Sequence, residues 1–271
     1  KHSQLSLPDI QLDVLERLRR DLKAKGLSPK MQINIMYCMH LVLDEAKRAR
    51  KIISMPSFPK KKKYQHSRPV IRWLPEARQM HIIEQIPRDH QPIFYFLKYH
   101  LRRPAEACAL HKQDYQDGVF TISRSISARE IQTKTKTGEI HTIPCHPDFE
   151  PYLEIEAEKQ KRCRILTPFL FVNPGARKPG KRYTGEALNR IWKKACKAAG
   201  EDIDLYSGLK HSSCSQYINE KGLSESELQI ITDHARIDSV RSYAKTEVRR
   251  KKELMARPIQ NYPISKITND K

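Results

Sequence analysis

Residues 55–69, MPSFPKKKKYQHSRP, hold three prolines and four consecutive lysines. Prolines so spaced interrupt a helix and remove ladder donors from a strand, and adjacent ammonium groups repel one another. The stretch therefore predicts an extended, solvated linker, Lys60, Lys61, Lys62 and Lys63 included, which parts residues 1–54 from residues 70–257. Residues 258–271 lose periodicity and are expected to form a tail.

Before the linker, Ile10, Leu12, Val14, Leu15, Leu18 and Leu22 recur at helical spacing, and Gly26 marks a stop. Ser28-Pro29 supplies a cap and a first-turn residue for a second helix, whose apolar face runs through Ile33, Met36 and Leu43 and whose end is cationic. Two such helices bury little by themselves, so a fuller helical domain is expected to begin before residue 1. After the linker, LPEARQMHIIEQIP and DHQPIFYFLKYHL predict two helices, and Pro104 opens another. GVFTISRSI and EIHTIP alternate and are rich in Val, Ile and Thr, which predicts a small antiparallel sheet turning at Lys136-Thr137-Gly138-Glu139. Residues 147–160 and 186–200 predict further helices, and Ser224 with Glu227 forms a capping box before another. The fold class is mainly α with a small antiparallel β-sheet (α+β).

The formal charge is +20, from 51 Lys and Arg against 31 Asp and Glu. No apolar run is long enough to span a bilayer and the cations are spread along the chain, so a nucleic acid is the expected partner and a membrane is not. The six cysteines are scattered with no CxxC pair, which suits buried free thiols; His211 and Cys214 have a metal-site spacing but no second pair, and no metal is expected.

Four segments carry groups with a common chemical use: Arg103 in HLRRPAEACAL, Lys136 in TKTGEIHTIP, Lys210 in SGLKHSS, and His234 with Tyr243 in QIITDHARIDSVRSYAK. A phenol, with a pKa of about 10, attacks poorly at neutral pH unless cations meet its charge and the charge growing on the atom it attacks. A tyrosine with three cations on one phosphate meets that demand.

In this order the segments resemble the tyrosine recombinases of the phage-integrase type, which show an Arg-Pro-small-Glu turn, a hairpin lysine, a His-x-x-Arg helix start, a further His and the tyrosine. The resemblance spans about residues 10 to 250. It implies a helical core-binding domain over 1–54, incomplete at its amino end, and a catalytic domain over 70–257. It implies that Tyr243 attacks a DNA phosphate to give a 3′-phosphotyrosyl link, that Arg103 and Lys210 stabilise phosphoryl charge, and that His234 hydrogen-bonds the phosphate or the nucleophile. Spacing alone does not choose between Lys134 and Lys136; the family's Lys-Thr-Gly turn before Ile-Pro selects Lys136 as the acid for the leaving 5′-oxygen. Glu106 supports the local structure, while Arg102 is expected to be a surface or phosphate contact, and Lys60 to Lys63 a strap along DNA. The implied setting is a homotetramer on double-stranded DNA, aided by DNA-bending proteins, without cofactor, in the cytoplasm of a bacterium or encoded by a phage.

One segment departs from the pattern. Where the family has His-x-x-Arg-His, this chain has Ser207-Gly208-Leu209-Lys210-His211. Lysine keeps a charge but loses the planar fork, and Ser207 can hydrogen-bond a phosphate but cannot shuttle protons near neutrality. His211 follows Lys210 and is expected to point about 100° away along an α-helix. The alternatives are a DNA-binding protein of the same fold with impaired chemistry and a type IB topoisomerase-like enzyme.

Overall fold

The computed structural model describes residues 5–64, 71–133, 135, 138–233, 237, 240 and 243. The chain forms two compact units that divide between Val70 and Ile71.

In the first unit, α1 (Leu12–Ala24) and α2 (Pro29–Arg48) pack together. Gly26, at φ 73°, makes the left-handed turn after α1. Ser28 Oγ accepts from the Met31 amide, satisfying one of the free donors of the first turn of α2. Leu15, Leu22, Met36 and Tyr64 share one apolar cluster, and Leu43, Ala46 and Ile52 another. Tyr64 corrects the linker expectation. It ends a 3-10 turn, Lys61–Tyr64, whose buried ring anchors the lysine run on this unit, and the Lys63 ammonium is ion-paired with Glu16 on α1. Lys60, Lys61 and Lys62 are exposed.

The second unit is built around α4 (Gln91–Tyr99), whose residues Pro92–Lys98 are all buried. Phe94 stacks on Trp192 of α7 (Gly185–Ala198), and Phe96 meets Phe120 and Phe149 edge-on. Two lysines are buried in this unit with carboxylate partners: Lys98 bonds Glu76, at the start of α3 (Glu76–Glu84), at 2.6 Å, and Lys159 bonds Glu156 within α6 (Glu150–Arg162). A buried charge is tolerable only when paired in this way.

The β residues divide into two sheets. β1 (Tyr115–Gln116), β2 (Val119–Ile122) and β5 (His141–Pro144) form an antiparallel sheet in the order β1-β2-β5, with Phe120 opposite Ile143. β3 (Ser125–Ser127) and β4 (Glu130–Gln132) form a separate hairpin. Its two-residue turn is Ala128-Arg129, both at positive φ, a conformation usually signalled by Asn-Gly or Asp-Gly. The short helix α5 (Pro104–Ala107) packs on this hairpin. A π-helical turn (Ser207–His211) then runs into α8 (Ser212–Asn219), and α9 (Glu225–Thr232) ends at Asp233, which is left-handed at φ 51°. Among the described residues no helix is long and apolar enough to cross a membrane.

Candidate active site

Arg103 is held from both ends by one carboxylate. It sits in extended backbone just before α5, where Pro104 fixes the first helical turn. Glu106, almost fully buried, accepts from the Arg103 amide at 2.9 Å through Oε2 and from Nη1 at 2.6 Å through Oε1. Burial alone would raise the Glu106 carboxyl; the Arg103 amide and charge, with Lys210 nearby, outweigh it and hold the group below its ordinary value. The guanidinium is also hydrogen-bonded by the Tyr206 side chain, and it faces a cleft lined by Ser125, Ser127, Gln132 and Thr135.

Arg102 requires a correction. Extended backbone sends neighbouring side chains to opposite sides, and with Arg103 turned to the cleft, Arg102 turns inward. Its side chain is 3% exposed. It donates to the His100 carbonyl and to Asp233 Oδ2, each at 2.8 Å, and to the Ile231 carbonyl. It is therefore no surface contact but a staple from the Arg103 turn to the end of α9.

The π turn supplies the next groups. Its wide i→i+5 geometry is visible where the Ser212 amide reaches the Ser207 carbonyl. Gln79 of α3, completely buried, donates to the Gly208 carbonyl at 2.9 Å and to Ser213 Oγ at 3.0 Å, while its own oxygen accepts from Lys98 and Gln216. Gly208 is the residue that lets the turn lie against the core: a Cβ there would stand 2.3 Å from Cζ2 of Trp192. Gly208→Ala is expected to displace the turn and lower stability by about 1–3 kcal/mol, the usual range for overpacking. Thermal unfolding measures this, and an unchanged midpoint would show that the turn has room.

Lys210 on this turn is 2% exposed, with Arg103, Glu106, Arg102 and Cys214 around it. Burial, reinforced by the two arginines, pulls its ammonium down to about 8. Ser207 behaves differently: its hydroxyl is hydrogen-bonded to Asp204.

Tyr243 packs in an apolar cluster with Leu101, Cys214, Ile218, Leu228 and Val240 and is 5% exposed. Its hydroxyl lies 3.1 Å from Nδ1 of His211, and burial pushes its phenol well above 10. The His211 ring is bracketed by Tyr243, with ring centres 5.4 Å apart, and by Tyr206, edge-on at 4.7 Å.

Arg103, Glu106, Lys210 and Tyr243 thus come together in one place; Tyr206, which the sequence did not single out, joins them, and so does His211, which its angle from Lys210 along an α-helix had turned away from the site. His211 carried a signal all the same: Ser207, Lys210 and His211 are spaced i, i+3, i+4, one face of a helix. Tyr206 carried none. Lys136 and His234 lie outside the described residues.

The Tn1549 transposon integrase in complex with transposon right end DNA superposes with a TM-score of 0.74 at 17% identity, over 93% of this chain and 86% of that one. A lambda integrase dimer bound to a COC′ core site gives 0.67 at 15% identity, over 88% and 81%. The XerH site-specific recombinase bound to its difH substrate gives 0.63 at 16%, over 89% and 70%. At such identities these likenesses establish the fold. No curated protein sequence matches the chain. The sequence pattern of the phage integrase family does match, over residues 76–250, a span that takes in Arg103, the π turn and Tyr243, and the chain therefore belongs to the phage integrase family, the tyrosine recombinases.

Proposed function

We propose that this chain is a site-specific DNA recombinase that cuts and rejoins double-stranded DNA through Tyr243. The observation that carries this reading is a buried tyrosine hydroxyl hydrogen-bonded to His211 and acted on by the Arg103 charge, with Lys210 beside Arg103. The phenol oxygen attacks a phosphodiester phosphorus, forming a 3′-phosphotyrosyl ester as the 5′-oxygen leaves. Arg103 and Lys210 stabilise the negative charge that grows on the phosphoryl oxygens. Lys136 supplies the proton to the leaving 5′-oxygen, and His234 bonds a phosphoryl oxygen. The ester conserves the bond energy, so a 5′-hydroxyl of another strand reverses the step without metal or nucleotide cofactor.

Exchange between two duplexes needs four such tyrosines, hence a homotetramer on DNA, with bending proteins where the site must be folded back. The exposed Lys60, Lys61 and Lys62 follow the DNA phosphates in this reading, whereas Lys63 is engaged by Glu16. The residues from Lys1 to Val70 act as the core-binding clasp and those from Ile71 as the catalytic domain.

The test is covalent trapping. The protein is incubated with nicked duplexes tiled from the DNA flanking its own gene, denatured, and examined by mass spectrometry. A nucleotide adduct on Tyr243, lost in Tyr243→Phe while DNA binding is retained, is the expected result. A second reading, a DNA-binding protein whose chemistry has decayed, is favoured by the engagement of the Ser207 hydroxyl with Asp204. Binding without an adduct from the native protein would establish it.

A further inference from the structure

We propose that His211 is the base that takes the phenolic proton of Tyr243 when the phosphotyrosyl ester forms, a role left open by serine at position 207. The inference rests on the reading of Tyr243 as nucleophile.

A phenol held well above its ordinary pKa by burial is almost wholly protonated at neutral pH, so its attack requires an acceptor in contact with the hydroxyl. Two described side chains are hydrogen-bonded to Tyr243 and able to titrate: the His211 imidazole, with Nδ1 at 3.1 Å, and the Cys214 thiol. Cys214 is completely buried and its thiol is pushed up to about 11, so it keeps its proton at neutral pH and its neutral sulfur is too weak a base to take the phenol's. His211 is shifted the other way. Burial first, then the Lys210 charge, outweigh the opposing pull of Asp204 and hold the imidazole below 6.5. It is therefore neutral at pH 7. With its hydrogen on Nε2, the ring presents a lone pair on Nδ1 to the phenol O–H.

The fold explains the placement. Ser207 and His211 stand four positions apart, so both belong to the face of the turn that carries Lys210. Ser207 is drawn to Asp204 while His211 is clamped between the rings of Tyr206 and Tyr243. Among the described residues, the titratable and charged groups facing His211 are thus Tyr243, Tyr206, Asp204 and Lys210, and Cys214 is hydrogen-bonded to the phenol.

The step balances. The phenol proton passes to Nδ1, the phenol oxygen's electron pair forms the O–P bond, and the P–O5′ bond breaks with its pair going to the 5′-oxygen, which is protonated by Lys136. In rejoining, the 5′-hydroxyl gives its proton back to Lys136 and the imidazolium returns one to the departing phenol oxygen.

The experiment compares native protein with His211→Gln, which retains a hydrogen-bond acceptor for the phenol but no basic nitrogen, in single-turnover cleavage of a nicked duplex. His211→Gln is expected to slow adduct formation by on the order of 10²-fold at pH 7. The ratio of variant to native rate should rise steeply from pH 7 to 9 as solvent base takes over, a trend that cancels the shared titration of Lys210. A 5′-bridging phosphorothiolate, whose thiolate leaves unprotonated, should restore Lys136→Ala but not His211→Gln. A ratio that is flat with pH, or rescue of His211→Gln by the thiolate, would overturn the assignment. Independently of turnover, the His211 ring followed by NMR should titrate at higher pH in Tyr243→Phe, because the donated hydrogen bond favours the neutral imidazole. An unchanged titration would remove the pair itself, and a native protein that never forms an adduct would remove the recombinase reading instead.

Discussion

Arg103→Ala is expected to slow DNA cleavage by roughly 10²–10³-fold while leaving most DNA affinity in place, since in the proposed reaction it removes one preorganised donor aimed at charge that develops in the transition state. The same change acts on the fold through Glu106. That carboxyl is 3% exposed and loses the Nη1 bond and its nearest cation, keeping the amide of residue 103. Because the guanidinium itself is 28% exposed, the stability loss is put at about 1–3 kcal/mol, below the figure for a fully buried pair. The pH dependence separates the two effects. In the native protein the Glu106 carboxyl is depressed, so its stabilisation is present above pH 4.5 and lost as pH falls through the lower folded value. In Arg103→Ala the carboxyl loses its nearest cation and should titrate higher than in the native protein, so the stability gap between the two proteins narrows on acidification. Urea unfolding at pH 7 and pH 4 reads this gap, and a pH-independent gap would mean that Glu106 does not answer to Arg103. Arg103→Lys restores the charge without the fork and should recover only part of the rate.

Much of the fold was legible because its signals are local. Ser28-Pro29 and the Ser224 and Glu227 pair mark helix starts by supplying acceptors and donors that those starts lack, and both lie where the structure opens a helix. The hairpin turn at Ala128-Arg129 was not legible, since neither residue advertises a positive φ. Nor was the folding of the lysine run, which depends on one aromatic ring, Tyr64, finding a cluster made by residues far from it in sequence.

The candidate site divides in the same way. Arg103, Lys210 and Tyr243 stand out because their chemistry is scarce and their order is informative. The two arginines at 102 and 103 are alike in composition, and only the direction of the backbone and the carboxylate of Asp233 decide which one is buried. His211 was set aside by counting its angle from Lys210; counting from Ser207 places it on the working face, and the π turn brings it to the phenol. A widened turn leaves no mark in hydrophobic periodicity, because its cause is tertiary: Gln79 holding the carbonyl of Gly208, and Trp192 filling the space over it.

Lys210→Met should make the free protein more stable and the enzyme much slower. The ammonium is 2% exposed and titrates near 8 in place of 10.5. Between those values the unfolded chain holds a proton that the folded chain has released, so folding stability rises with pH across the window. Below pH 8 the buried charge is fully present and opposes folding by about 3 kcal/mol, from about 1.4 kcal/mol per pKa unit. A methionine of similar length removes that burden, as apolar replacement of buried charge often does, and the gain at pH 7 should vanish above pH 10. Cleavage should fall by about 10²–10³-fold, since no cation then meets the phosphoryl oxygens from this side. Lys210→Arg tests the same idea from the other direction. Arginine cannot shed its charge, and its larger head must enter a space closed by Glu106, Cys214 and Arg102, an overpacking of about 1–3 kcal/mol. It should therefore lower both stability and rate, in a space sized for the slimmer lysine head. Unfolding curves at pH 7 and 10 for the native protein and both variants, paired with single-turnover cleavage, decide the matter: a faster Lys210→Arg would show that this position has drifted from arginine and that the site is weakened by it.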